Sequence, residues 1–202
     1  MKHEGSTPEL PPSSLGITLS DEQIGLLERF ETLLRARAIP SGFVAAGDAP
    51  RLRERHIWDC LRAASVVRPD ERAAYDLGSG AGLPGLVVAI ACPWLETTLV
   101  ESRRPRVAFL EFAIERLDLP NTRVHAGRVQ DLSEPVDICF ARAFANAAAS
   151  WRVADPLLIP RGRLVYFAGQ RSDSSQLPND LVVSLVASTL ARSGPLVIMS
   201  RQ

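Results

Sequence analysis

The sequence predicts a doubly wound α/β fold: a mostly parallel sheet with an antiparallel last strand, preceded by a small helical appendage. From Ala73 onward, short apolar strands alternate with helices of about a dozen residues, which is the pattern of parallel βαβ units. A glycine-rich loop, Gly78–Gly85, separates the first of these strands from the first helix. Near the end, the short turn Arg192–Pro195 joins two apolar runs and predicts an antiparallel pair.

The elements of the alternating segment are predicted from short apolar runs and helical spacing. The predicted strands are Ala73–Leu77, Thr97–Glu101, Thr122–His125, Val136–Ala141, Gly162–Phe167, Leu181–Val186 and Leu196–Ser200. The predicted helices between them are Gly85–Ala91, Arg104–Leu117 and Ala145–Leu158.

Two further helices are predicted ahead of the sheet. Ser20 and Gln23 have capping-box spacing, and the apolar residues that follow recur at helical intervals. A second helix is predicted from about Arg51 to Val67, after a loop from Pro40 to Pro50. The predicted organisation is a disordered N-terminus rich in Pro, Ser and Gly (1–17), the appendage (18–70) and the main domain (71–202).

Composition and length exclude several classes of protein. The 202 residues suffice for one compact domain, and 46% hydrophobic with 23% charged residues is ordinary for a globular protein. The longest apolar run, Leu86–Cys92, is much shorter than the roughly 20 residues that span a bilayer, so a cytoplasmic protein without membrane association is expected. The scattered Cys60, Cys92 and Cys139 favour reduced core thiols over bridges, and no metal site is expected.

The net charge of zero argues against a large nonspecific nucleic-acid footprint, so any such binding must come from local patches. Two basic clusters are present, and solvated helix faces are the alternative interpretation of each. They comprise Arg51, Arg53, Arg55 and His56, and Arg103, Arg104 and Arg106.

The loop between the first strand and helix is the most informative segment, because glycines let backbone approach a ligand without Cβ collisions. Gly80–Gly85 satisfies the dinucleotide pattern G-x-G-x-x-G, which holds a pyrophosphate. A carboxylate at Asp76 would repel a pyrophosphate, but it can accept hydrogen bonds from the amino end of S-adenosylmethionine. The sequence therefore predicts S-adenosylmethionine as the cofactor. The alternatives are a nicotinamide-dependent oxidoreductase, a binding module without catalysis, or a tight turn only.

Glu101 ends the second predicted strand, where an acidic side chain can accept hydrogen bonds from both hydroxyls of a ribose. This position suits either cofactor. Its alternative interpretation is a solvated strand end.

Further motifs in a fixed order extend the pattern over roughly residues 20–170. They are Arg55–Asp59, Asp76–Gly85, Val100–Ser102, Arg106–Leu110, Leu119–Asn121, Gly127–Val129 and Ala141–Ala145. On these motifs the chain resembles the bacterial 16S ribosomal RNA guanine-N7 methyltransferase family, called RsmG or GidB, whose fold is a Rossmann-like class I methyltransferase sheet.

The resemblance implies that S-adenosylmethionine is used to methylate N7 of a guanine in 16S ribosomal RNA of the small subunit. The cofactor site expected from the loop and the resemblance comprises Asp76, Gly78, Ser79, Gly80, Gly82, Leu83, Glu101, Ser102, Val129, Gln130 and Arg142. Arg142 is also the expected catalytic residue, and the substrate-binding residues are expected to be Arg55, His56, Asp59 and Arg106.

Structural alternatives remain for the substrate side. Arg142 could instead form a salt bridge with an acidic neighbour such as Asp137 or Glu101, and His56 with Asp59 could dock the appendage onto the sheet. The chain also departs from the family on this side. Ala38–Gly42 replaces an Asn-Leu-Thr stretch, Ala168-Gly169 replaces Lys-Gly and Gln130 replaces a glutamate. The first two replacements favour, as the alternative function, a paralogue acting on another RNA or a small molecule, whereas the retained Arg55-His56 and Arg142 oppose it.

Guanine N7 carries a lone pair and no proton, so methyl transfer to it needs alignment of donor and acceptor and no general base. The dispersed histidines His3, His56 and His125 agree with this expectation. Because the target base must be flipped or unpaired, RNA loops are the expected substrate. The enzyme is expected to be a monomer.

Overall fold

The structure, a computed structural model, describes residues 13–169, 181–190 and 193–202. Its strands are β1 (Ala73–Leu77), β2 (Glu96–Glu101), β3 (Thr122–Ala126), β4 (Val136–Ala141), β5 (Leu158–Phe167), β6 (Leu181–Val186) and β7 (Leu196–Arg201). They form one seven-stranded sheet of order β3-β2-β1-β4-β5-β7-β6. β7 is antiparallel to β5 and β6, and the other four pairs are parallel. The predicted fold class is therefore confirmed.

The α-helices are α1 (Asp21–Leu33), α2 (Asp59–Ala64), α3 (Gly85–Ala91), α4 (Arg104–Leu117) and α5 (Ala147–Ala154). The predicted capping box starts α1: the Ser20 hydroxyl accepts the Gln23 N–H at 3.2 Å, and the Gln23 side chain accepts the Ser20 N–H at 2.9 Å. α4 has a proline in its first turn and is capped at its end by Asp118, which lies in the left-handed region with φ 52°. These ends depend on local sequence, which explains why α4 matches its predicted range.

The two faces of the sheet contribute to separate apolar clusters. Successive residues of β1, Ala74 and Tyr75, belong to different clusters, as the two-residue period of a strand requires. Residues of α1 to α4 join the first cluster, whereas Trp151 and Ala154 of α5 join the second. Helices thus cover both faces of the sheet.

The predicted N-terminal appendage shares the core of the main domain. Phe30, Leu34 and Leu61 are fully buried in the same cluster as Leu86 of α3 and Leu110 of α4. Burying apolar side chains of this size contributes about 1.5–3 kcal/mol each, so the segment is held firmly against the sheet. This packing places the loop after α1 and the start of α2 beside the carboxyl ends of the strands.

Several predicted boundaries differ from the structure. Residues 1–12 of the expected disordered segment lie outside the described residues, whereas Ser13–Leu15 form a short helical turn and Leu15 is buried. The predicted second helix is irregular: a 3-10 segment, Ala46–Arg51, and a π-helical segment, Arg53–Trp58, precede α2. Helices of this kind follow tertiary packing more than propensity, because short helical segments are marginal alone.

The predicted helix Ala145–Leu158 is also shorter than expected. Asn146 caps α5 by accepting the Ala149 N–H at 2.8 Å, and the helix gives way to a 3-10 turn that contains Pro156. β5 then begins at Leu158, ahead of the predicted Gly162. No helix among the described residues has both the length and the apolarity to cross a membrane.

Candidate active site

A cavity of about 620 Å³ lies at the carboxyl ends of β1, β4 and β5. The strand order reverses between β1 and β4, and such switch points are where open α/β sheets form ligand crevices. The walls of the cavity include nine predicted site residues: Arg55, His56, Asp59, Gly78, Ser79, Gly80, Leu83, Arg106 and Arg142. The structure thus brings the glycine loop, the Arg55–Asp59 motif and the residue after β4 into one site.

The loop after β1 has the tight backbone that its glycines allow. Gly78 and Gly82 have φ values of 70° and 82°, which other residues rarely adopt. A Cβ on Gly82 would lie 2.4 Å from Leu86 Cδ1, so the loop packs directly on α3. The Ser79 N–H donates to the Val100 carbonyl at 3.0 Å, which ties the loop to the end of β2. Bare backbone of Gly78 and Gly80 therefore faces the cavity.

Asp76 lies behind this loop. Its carboxylate is buried and accepts the Gly85 N–H at 3.0 Å, which connects β1 to the first residue of α3. Burial raises the pKa of Asp76 to about 6, although the hydrogen bonds from Ser79 and Gly85 favour the charged form. The described cavity lining does not include Asp76. A direct contact between this carboxylate and the cofactor stays a prediction.

Glu101 is buried, so the alternative of a solvated strand end is wrong. One carboxylate oxygen accepts the N–H groups of Ser102 and Arg103, each at 2.9 Å. The other accepts the Gly80 N–H at 3.1 Å and lies 3.7 Å from the Arg106 guanidinium. These contacts hold the carboxylate at the edge of the loop, with acceptor capacity left on the oxygen nearer the loop.

The remaining cofactor residues expected from the sequence lie outside the described cavity lining. Gly82 supports the loop from behind, Ser102 follows β2 at the surface, and Val129 with Gln130 forms a short turn after β3. Val129 is buried and Gln130 is exposed. The expected contacts of these residues with the cofactor remain predictions.

Arg142 joins the end of β4 to the segment that precedes α2. Its guanidinium donates to the Arg55 carbonyl at 3.2 Å, contacts His56 Nδ1 at 3.0 Å and lies 3.5 Å from the Asp59 carboxylate. Arg142 therefore forms a salt bridge, as the alternative interpretation expected, but its partner is Asp59 and neither of the two acids named from the sequence. Asp137 lies at the other end of β4 and accepts backbone N–H groups of residues 72 and 73.

His56 is held between two charged partners. Its Nε2 lies 3.0 Å from Asp48 Oδ2, and its Nδ1 faces Arg142. Burial and the Arg142 charge lower the pKa of His56, and the hydrogen bond with Asp48 opposes them. A neutral ring satisfies both partners, because Nδ1 then accepts from the guanidinium and Nε2–H donates to the carboxylate. The docking alternative for His56 and Asp59 is thus compatible with their place in the cavity wall.

Sequence reasoning missed several cavity residues, among them two phenylalanines and an arginine. Phe43 comes from the loop after α1, Arg62 from α2 and Phe167 from the end of β5. The Arg106 and Arg142 guanidiniums lie 5.7 and 5.9 Å from the ring centroids of Phe43 and Phe167. Arg62 had a detectable signal: it is the one arginine in an otherwise apolar helix turn, three residues after Asp59.

The hydrogen bonds of the loop distinguish the two cofactors. A dinucleotide pyrophosphate needs free N–H groups at the loop and at the start of the following helix. Here Glu101 accepts the Gly80 N–H and Asp76 accepts the Gly85 N–H, so carboxylates occupy these donors. Negative charge at both positions suits a cationic sulfonium nucleoside and disfavours a diphosphate. The donor set therefore fits S-adenosylmethionine.

The sheet order, the antiparallel β7 and the acid at the end of β2 define the fold of class I methyltransferases. The O-methyltransferase TomG from Streptomyces achromogenes, solved in complex with SAM, shares this fold with a TM-score of 0.59 at 14% identity, over 94% of this chain and 93% of that chain. A family profile described as rRNA small subunit methyltransferase G (GidB) matches residues 23–188. The chain belongs to this family.

Two curated relatives show the extent of the similarity. Ribosomal RNA small subunit methyltransferase G from Thermobifida fusca is 35% identical over 170 residues, which cover 83% of this chain and 71% of the relative. The protein of the same name from Ralstonia nicotianae is 34% identical over 184 residues, covering 86% and 82%. The family predicted from the motifs is confirmed.

Proposed function

We propose that the protein methylates N7 of a guanine in 16S ribosomal RNA of the small subunit, using S-adenosylmethionine. The observation that carries the proposal is the cavity that joins the glycine loop to Arg142 and the Arg55–Asp59 motif, in a chain of the rRNA small subunit methyltransferase G family. The relatives' names specify the small subunit RNA. The guanine N7 comes from the family resemblance.

The glycine loop and Glu101 are the residues that would hold the cofactor. Backbone of Gly78 and Gly80 forms the floor of the cavity, and Leu83 adds an apolar contact. The remaining acceptor capacity of Glu101 suits ribose hydroxyls beside the loop. When bound, S-adenosylmethionine supplies an electrophilic methyl group on a sulfonium.

The acceptor chemistry requires no residue to remove a proton, because N7 carries only a lone pair. The protein then contributes alignment and exclusion of water. His56, the histidine of the described cavity lining, already uses both ring nitrogens and is poorly placed to act as a base. Arg142 has a fixed position beside the expected reacting site. Since positive charge develops on the methylated base, this guanidinium orients the nucleotide rather than stabilising its charge.

The electrostatics of the cavity suit RNA. Its described lining contains four arginines, Arg55, Arg62, Arg106 and Arg142, and a single carboxylate, Asp59. Asp48 and Glu101 lie outside that lining and pair with Arg55 and Arg106, so the excess positive charge lies at Arg62 and Arg142, which share Asp59. Positive charge at this position attracts a polyanion even though the net charge of the chain is zero. A flipped or unpaired guanine of the RNA would enter the cavity here. The proposal describes a monomeric cytoplasmic enzyme that acts on the small subunit.

One structural feature favours the alternative of another RNA or a small molecule. The cavity wall at the end of β5 consists of Phe167, Ala168 and Gly169, which carry no charge. A wall of this type would also accept an apolar small molecule.

Mapping of the methylated position tests the proposal. The protein is incubated with S-adenosylmethionine labelled in its methyl group and with small subunits that lack the modification. We expect label at N7 of one guanine of 16S ribosomal RNA. Label at another RNA position would support the alternative, and intact protein that binds S-adenosylhomocysteine without labelling RNA would contradict the proposal.

A glycine substitution tests the cofactor site separately. Gly80→Val should abolish binding of S-adenosylhomocysteine in calorimetry, because a branched side chain is strained at φ 58° and projects beside the bare backbone. Gly47→Val is the matched control, since a Cβ at that position meets nothing within 4 Å. Unchanged affinity in the Gly80 variant would contradict the assigned site. An Asp76→Ala variant tests whether that carboxylate is needed for cofactor binding, and loss of binding is expected.

A further inference from the structure

Arg62 is a buried arginine that lines the cavity without belonging to the predicted site. Its side chain is 5% exposed, and within the described part of the chain it makes two hydrogen bonds. One N–H donates to Asp59 Oδ1 at 2.8 Å, and another donates to the Val186 carbonyl at 3.4 Å. A guanidinium has five N–H donors, so Arg62 retains donors for a ligand in the cavity.

The carboxylate that neutralises Arg62 also serves Arg142. Asp59 directs one oxygen to Arg62 and the other to Arg142, whose Nε lies 3.5 Å away. The other two arginines of the cavity have acids of their own: Arg55 lies 3.1 Å from Asp48, and Arg106 lies beside Glu101. Arg62 and Arg142 are therefore two buried or half-buried cations with one carboxylate between them, an arrangement that a further anion would stabilise.

The position of Arg62 relative to the strands of the sheet indicates which anion it binds. Its bond to Val186 places it at the end of β6, beside the uncharged wall at the end of β5. The glycine loop follows β1, and β4 lies between β1 and β5 in the sheet order. Arg62 is thus on the acceptor side of the cavity, across Arg142 from the cofactor loop.

We propose that Arg62, oriented by Asp59 beside Arg142, binds an oxyanion of the substrate, namely a phosphodiester group at or next to the target nucleotide. This proposal rests on the proposed RNA substrate and deepens it. Guanidinium groups bind phosphate oxygens through paired N–H donors, and two guanidiniums can hold both free oxygens of one phosphodiester. The α-carboxylate of the cofactor offers the same chemistry and is the competing source of the anion.

The test compares full-length Arg62→Met and Arg62→Lys with Arg152→Met. Arg152 is an exposed arginine of α5, which packs on the opposite face of the sheet, so its loss controls for a general change in charge. Binding of unmethylated small subunits is measured over a salt series. Binding of S-adenosylhomocysteine and of 5′-methylthioadenosine, which lacks the amino-acid tail, is measured by calorimetry.

We expect Arg62→Met to bind both nucleosides as the native protein does, while its affinity for small subunits falls about tenfold or more. The slope of log affinity against log salt should decrease by roughly 0.7–1, the amount for one lost phosphate contact. Arg62→Lys should keep the slope and lose part of the affinity, because an ammonium lacks the paired donors. Arg152→Met should match the native protein.

Three results would overturn the proposal. If Arg62→Met still binds S-adenosylhomocysteine and also keeps the native affinity and salt slope for small subunits, Arg62 makes no phosphate contact. Loss of S-adenosylhomocysteine binding with unchanged 5′-methylthioadenosine binding would assign Arg62 to the cofactor carboxylate. If Arg152→Met lowered the affinity for small subunits as much as Arg62→Met does, the loss would be a consequence of overall charge and not of a contact by Arg62. If Arg62→Met fails to fold, Arg62→Lys replaces it in the test, and native affinity of Arg62→Lys for small subunits would then overturn the proposal. Failure of the proposed function itself would appear as unlabelled RNA with the native protein.

Discussion

Two buried arginines, Arg163 of β5 and Arg62 of α2, have different surroundings. Arg163 of β5 donates to both oxygens of Glu71 at 2.7 Å, and its guanidinium also contacts the Val66 carbonyl. Arg62 is buried to a similar degree, but it shares its carboxylate with another arginine and borders the cavity. An arginine that binds both oxygens of its own carboxylate has a structural role. An arginine that shares its carboxylate and borders a cavity is placed to bind a ligand.

The difference also concerns what each pair joins. Glu71 precedes β1 and accepts the Arg68 N–H at 2.7 Å, so the ion pair of Glu71 with Arg163 holds the connection from α2 to β1. The Asp59 group instead connects α2 to the residue that follows β4. The first arrangement stabilises the fold, and the second positions side chains around the acceptor side of the cavity.

The largest expected effect is on stability at the Glu71 pair. Arg163→Met should lower the free energy of unfolding by about 3–5 kcal/mol, because it leaves a buried carboxylate without its partner. Arg62→Met should lower it by about 1–2 kcal/mol, since Asp59 keeps Arg142. Urea denaturation measures both values. Equal losses in the two variants would break the distinction between the two arginines.

The next effect concerns the shared carboxylate. Asp59→Asn should lower kcat/KM for small subunits by about tenfold to a hundredfold, because both guanidiniums lose the charged acceptor that orients them. S-adenosylhomocysteine binding should stay close to native, which calorimetry can establish. A variant with native kcat/KM would show that Asp59 does not position the arginines for the reaction.

The last effect is a pH dependence at Asp76, a buried carboxylate that is held by the Gly85 N–H and the Ser79 side chain instead of a guanidinium. Burial raises its pKa to about 6 in the folded protein, so protonation favours the folded state. The stabilisation is present at pH values below its ordinary pKa of about 3.9 and is lost as the pH rises to about 6.

Asp76→Asn should therefore remove this pH dependence. The difference in unfolding free energy between the native protein and the variant should change across the window from about pH 4 to 6 and be constant above it. Chemical denaturation at several pH values provides the measurement. A constant difference throughout that window would show that Asp76 titrates normally.

Local features of the fold were predictable because neighbouring residues suffice to form them. The capping box of Ser20 and Gln23 needs only residues three apart, and the glycine loop needs only residues that tolerate positive φ. Alternation of apolar runs predicted every strand of the sheet and the antiparallel β7. The glycine loop and the family motifs together predicted nine of the residues that line the cavity.

Side-chain partners over long separations were not predictable. Arg142 and His56 are 86 residues apart, and Arg163 and Glu71 are 92 apart, so nothing in the local pattern distinguishes these acids and bases from others on the surface. The sequence suggested Asp137 or Glu101 for Arg142, but both carboxylates bind nearby backbone N–H groups instead.

By itself, the sequence of this protein determined the order of strands and helices, the glycine loop and the family. Tertiary structure decided that Asp76 lies behind the loop, that the N-terminal helices share the main core, and that Arg62 borders the cavity. The physical reason is the range of the interactions. Backbone conformation depends on a few adjacent residues, whereas burial and ion pairing depend on which distant surfaces the packed sheet brings together.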